Sequence, residues 1–99
     1  MKTKKLEKNF IGIGDVKGFK FTQIKASTTA YLYEVNHGGG VIYFDVFKRK
    51  TTPVCIDFKK RVYSETEQKE IYPKTKDFGI WAWNSKSYFE AIERFIKIQ

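Results

Sequence analysis

Apolar and polar side chains alternate with a period of two through much of residues 18–63. GFKFTQIKAS (18–27) sets Phe19 and Phe21 on one side. TTAYLYEV (28–35) sets Tyr31, Tyr33 and Val35 on one face, with Ala30 and Leu32 on the other. VIYFDVFK (41–48) divides into Ile42, Phe44 and Val46 against Val41, Tyr43 and Phe47. PVCIDFKKRVY (53–63) divides into Val54, Ile56, Phe58 and Val62 against Cys55, Asp57, Lys59 and Arg61. Alternation rich in β-branched and aromatic residues is the signature of a half-buried strand. The pattern therefore predicts four strands. NFIGIGDVKG (9–18) adds a short strand entering a loop. FGIWAW (78–83) adds another strand, with Trp81 and Trp83 sharing a side beneath whatever follows.

Two stretches break the alternation. SETEQKEIYPKTKD (64–77) is polar and mixed in charge. It predicts a surface connection with room for one helical turn before Pro73. SKSYFEAIERFIKIQ (85–99) predicts a helix. Ser87 followed three residues later by Glu90 is a capping box. Tyr88, Phe89, Ile92, Phe95 and Ile96 recur at helical spacing as one apolar stripe, away from Glu93, Arg94 and Lys97.

These elements predict an α+β fold: an antiparallel meander of four to five strands with one C-terminal amphipathic helix packed on one sheet face. The other face is expected to be wet. Residues 1–8, with Lys2, Lys4, Lys5 and Lys8, predict a flexible basic arm, and 9–99 a single domain.

Composition narrows the classes of function. The 99 residues are 41% hydrophobic and 17% aromatic, which argues for a folded globule over a disordered chain. One cysteine, Cys55, and one histidine, His37, cannot supply a disulfide or a four-ligand Cys/His zinc site. No apolar run reaches the length of a membrane span or follows the basic start as a signal peptide would. The expectation is a cytoplasmic protein with no cofactor, no metal and no membrane contact. Net charge is +8, which favours an anionic partner.

The string NHGGG (36–40) has the letters of the loop that aims backbone N–H groups at an oxyanion in lipase-type hydrolases. No serine lies in the nucleophile-elbow frame, and the string separates two strand patterns by five residues. Asn and Gly supply the positive φ angles of a hairpin loop, so the reading is a turn. GIGDVKG (12–18) has Lys17 where a dinucleotide fingerprint needs its third glycine, and a strand follows; it reads as a loop. DFG (77–79) has none of a kinase's other elements around it. Asp45 and Asp57 would be neighbours if their strands paired, and read as solvated carboxylates. Cys55 has no histidine nearby in sequence and reads as a small filler. With no nucleophile, base and orienter to assemble, the chain is expected not to be an enzyme.

The basic clusters remain. KRK (48–50) ends one strand and KKR (59–61) lies in the next. If 41–48 and 53–63 form a hairpin through Thr51 and Thr52, then Lys48, Arg49, Lys50, Lys59, Lys60 and Arg61 converge on one end. Such a patch attracts phosphates by releasing counterions. Tyr31, Tyr33, Tyr43 and Tyr63 are expected on the exposed face nearby, where aromatics stack on single-stranded bases. The first expectation is a small basic binding module for DNA or RNA. The alternative is an accessory or inhibitor protein that docks on a protein partner, or on its own copy, through the face of Tyr31, Tyr33 and Tyr43 or through an edge strand.

Overall fold

The computed structural model describes residues 2–12, 17–57 and 59–99. The elements in chain order are β1 (Lys2–Lys4), β2 (Asn9–Ile11), β3 (Lys20–Ala26), β4 (Ala30–Gly38), β5 (Val41–Lys48), β6 (Thr51–Asp57) and β7 (Val62–Glu70). A 3-10 turn (Thr75–Asp77), β8 (Ala82–Ser85) and α1 (Tyr88–Ile98) complete them. The fold is α+β, mostly antiparallel strands with one C-terminal helix among the described residues. The chain divides into two compact units: Met1–Leu6 with Arg49–Tyr72, and Glu7–Lys48 with Pro73–Gln99.

The larger unit is a five-stranded antiparallel sheet in the order β2-β3-β4-β5-β8. β4 and β5 divide their side chains as the alternation requires. Ala30, Leu32 and Val46 point to α1 and form a hydrophobic core with Ala91 and Phe95, supported by Ile24, Phe44, Ile92 and Ile98. Ser87 caps α1 by accepting from the Glu90 backbone N–H. The reciprocal half of the expected capping box is rerouted. The Glu90 carboxylate accepts from the Ser85 hydroxyl at 3.0 Å, and that same hydroxyl oxygen accepts from the Ser87 N–H at 3.2 Å.

The opposite face is not wet. Tyr31, Tyr33, Val35 and Phe47 are all at most 2% exposed. Their rings cover one another: Tyr33 stacks on Phe47 at 5.7 Å, and Phe10 stacks on Phe21 at 4.7 Å. Trp81 closes the end with its ring 6.3 Å from Phe47. This corrects the expectation for Trp81. Residues 79–81 turn rather than extend, and Phe78 and Gly79 each bond or bridge to Ala82. Trp81 therefore serves the aromatic face, and Trp83 faces the helix side opposite Val46, with Arg94 5.1 Å over its ring.

The smaller unit is a three-stranded sheet in the order β1-β7-β6, with β1 parallel to β7 and β6 antiparallel to it. Lys2–Lys4 is thus a strand, and the first half of the segment read as a polar connection, 64–70, belongs to β7. Its exposed, two-sided-polar residues hide the alternation that would have marked it. Glu70, the last residue of β7, is 7% exposed. Its carboxylate accepts from Arg49 Nε at 2.6 Å and from the Leu6 N–H at 3.0 Å.

Candidate nucleic-acid interface

β6 and β7 join through a tight turn at Lys59–Arg61. The Asp57 carboxylate accepts from the backbone N–H groups of Lys59 at 3.0 Å and Lys60 at 3.2 Å. Side-chain capping of this kind is what aspartate does at a turn. Arg61 follows in the left-handed region, φ 52°, the one non-glycine residue there among those described. Lys59, Lys60 and Arg61 are all exposed, and none forms an ion pair with a described residue. Beside them Ile56, Val62 and Tyr63 are exposed by 67%, 43% and 53%. The tip therefore presents three consecutive cations flanked by apolar and aromatic surface.

The other expected site residues do not join it. β5 pairs with β4 and β8, and β6 pairs with β7, so the hairpin through Thr51 and Thr52 does not form. Lys48 ends β5 in the larger unit, its N–H donating to the Trp81 carbonyl at 3.0 Å. Arg49 is committed to Glu70. Lys50 is exposed just before β6. Seven residues of strand separate it from the tip, roughly 20 Å at the rise of a β-strand. Tyr31 and Tyr33 are buried, and the Tyr33 hydroxyl donates to the Glu7 carbonyl at 2.7 Å while accepting from Gln23 Nε2 at 3.0 Å. They are core residues, not an exposed docking face. The alternation fixed which side they share but not what covers that side.

Tyr43 is half-buried, its ring edge-on to His37 at 4.2 Å. Burial, and secondly the Asp45 carboxylate, raise its phenol above the ordinary tyrosine range. The raised folded-state value contributes stability that is complete below the unfolded pKa near 10 and is lost as pH climbs through the folded value. Asp45→Asn is expected to lower the phenol pKa part of the way, since burial, the larger cause, remains. The phenolate absorbance titration against a Tyr43→Phe reference reads this. A higher value in Asp45→Asn would refute the arrangement.

The remaining motifs resolve as structure. Gly38, Gly39 and Gly40 all take positive φ, and the Gly38 N–H donates to Asn36 Oδ1 at 2.8 Å; NHGGG is the end of β4, Asn36 to Gly38, followed by a two-residue β4–β5 turn at Gly39 and Gly40, tighter than the five-residue loop expected. His37 stacks on Phe19 at 3.9 Å. Of GIGDVKG, residues 13–16 lie outside the described residues, as does Phe58 of the alternating strand. Gly12 donates to the Phe19 carbonyl at 2.8 Å, closing that loop. Asp77 of DFG accepts from the Lys74 N–H at 2.8 Å and shapes the 3-10 turn. Asp45, 4% exposed, accepts from Asn84 Nδ2 at 2.8 Å, and Asp57 is spent on the hairpin tip, so the two share no ladder. Among the described residues no cluster of three His, Cys, Asp or Glu could hold a metal, and no helix is long and apolar enough to cross a membrane.

No family model, curated protein or solved structure matches the chain. Function has to be argued from the surface itself. The smaller unit carries nine Lys or Arg against four Asp or Glu, so it holds five of the eight net positive charges. A groove of about 270 Å³ lies between β8 and α1, lined by Trp83, Ser85, Glu90 and Arg94 among others. Its polar side chains already engage one another.

Proposed function

We propose that the chain is a small binding module for nucleic acid, contacting phosphates through the β6–β7 tip. The observation that carries this reading is the run Lys59–Lys60–Arg61, exposed and with its neighbouring acid, Asp57, turned onto the backbone. A two-stranded ribbon fits the major groove, and Tyr63 beside the cations gives an unpaired base a stacking surface. The backbone of Arg61 supports it. An arginine in the left-handed region costs on the order of 1 kcal/mol that a glycine would not. A cation held at that cost is expected to serve through its side chain.

The test is fluorescence-anisotropy titration of labelled single-stranded DNA, duplex DNA and RNA at two salt concentrations. Three phosphate contacts predict that log K falls with log salt with a slope of roughly −2 to −3, about a 40-fold loss for duplex over a fourfold rise in salt. Lys59→Glu with Arg61→Glu should abolish binding. Arg61→Gly should weaken binding while leaving thermal stability equal or raised by up to about 1 kcal/mol. No binding at low salt would end the proposal. Binding that ignores salt and fails in Ile56→Lys would favour a protein partner for the same hairpin.

A further inference from the structure

We infer that the chain forms a two-fold symmetric dimer in which a second copy lays its α1 antiparallel along this one. The inference is independent of the nucleic-acid reading, because it concerns the other unit. Sequence spacing places one apolar stripe on α1, but the structure uses only part of it. Ala91 and Phe95 are buried against the sheet, whereas Phe89 is 78% exposed, Ile96 60% and Tyr88 41%. At about 100° per residue, Phe89 and Ile96 lie on one row two turns apart, with half-buried Ile92 and exposed Glu93 on either side of it. The Tyr88 ring meets Phe44 at 5.5 Å and Phe89 at 6.3 Å, which extends the apolar strip down to the sheet. A stable α1 does not need this strip, since its cap and its buried arc are elsewhere. An uncovered row of large apolar side chains marks an interaction surface.

Charge identifies the occupant. The first half of α1 carries Glu90 and Glu93, and the second half carries Arg94 and Lys97. A helix that reverses sign at its midpoint complements itself when a second copy runs antiparallel, and a two-fold contact requires that self-complementarity. The register that seats Phe89 against the partner's Ile96 also seats Ile96 against the partner's Phe89. It brings Glu90 beside the partner's Lys97, and Lys97 beside the partner's Glu90. It sets the two Glu93 side chains close to the two-fold axis, the one unfavourable contact.

Sedimentation velocity over a wide concentration range tests this. So small a surface predicts association on the order of 10–100 µM. Phe89→Lys and Ile96→Lys, both at exposed positions, should each give a monomer with unchanged circular dichroism; if one misfolds, the other reads the same surface. Glu90→Lys and Lys97→Glu should each weaken the dimer, and the two together should restore it. Glu93→Gln should tighten it several-fold. A monomer at every concentration, a dimer indifferent to both lysine variants, or a charge exchange that restores nothing would each overturn the inference.

Discussion

Replacing Phe47 with alanine is expected to cost about 3–5 kcal/mol and to be the most damaging truncation on the aromatic face. Phe47 is fully buried. Its ring lies 5.9 Å from Tyr31, 5.7 Å from Tyr33 and 6.3 Å from Trp81. The cost of a large-to-small change depends on how far the walls can collapse into the space left behind. Here they are held apart: Tyr33 is pinned through its hydroxyl to Glu7 and Gln23. A domain with a total stability of about 5–15 kcal/mol would lose roughly a fifth or more. Phe47→Leu keeps most of the volume and is expected to cost under about 1.5 kcal/mol. Urea denaturation followed by tryptophan fluorescence measures both. A Phe47→Ala loss below about 1 kcal/mol would show that this face is loosely packed and the aromatic layer incidental.

The second large effect belongs to Glu70. Removing its carboxylate as Glu70→Ala takes the ion-pair acceptor from Arg49 Nε, whose side chain is 19% exposed, and the hydrogen-bond acceptor from the Leu6 N–H. Breaking a buried pair from one side typically costs about 3–5 kcal/mol. The loss should be local. Hydrogen exchange should show β1 and the 68–70 end of β7 losing protection while β4 and β5 keep theirs. Replacing the pair together, as Arg49→Met with Glu70→Leu, should recover most of it. If Glu70→Ala were no worse than Lys69→Ala at the next, exposed position, the ion pair would not be what holds the three-stranded sheet.

Period-two alternation made β3, β4 and β5 legible, because each buries at least one face and a one-residue slip would expose it. The helix was legible from its cap and its spacing. β7 was not: Ser64, Glu65, Thr66 and Glu67 are polar on both sides, and the Ser64 hydroxyl oxygen accepts from the Thr66 and Glu67 N–H groups, bending the strand where alternation would be read. With β7 unseen, β6 had no partner but β5, and the false hairpin gathered six cations that the structure separates. The two clusters were visible as composition, but their distance was not, since it depends on strand order. The burial of Tyr31 and Tyr33 was hidden for a similar reason. Part of their cover is the Phe10 ring, edge-on to Tyr33 at 5.8 Å from a strand two places away in the sheet, and no local pattern encodes that approach.

The parallel pairing of β1 with β7 bears on how the chain assembles. Turns join β3, β4 and β5 in immediate succession, so their contacts close short loops. Lys2 meets Glu67 across about two thirds of the chain. Such closure is entropically steeper and high in contact order, which slows folding. The meander can form before residue 49 has left a ribosome, whereas β1 must wait for β7. Until then the N-terminal lysines stay outside any sheet, and the edge of β7 that will receive them stays open to other strands.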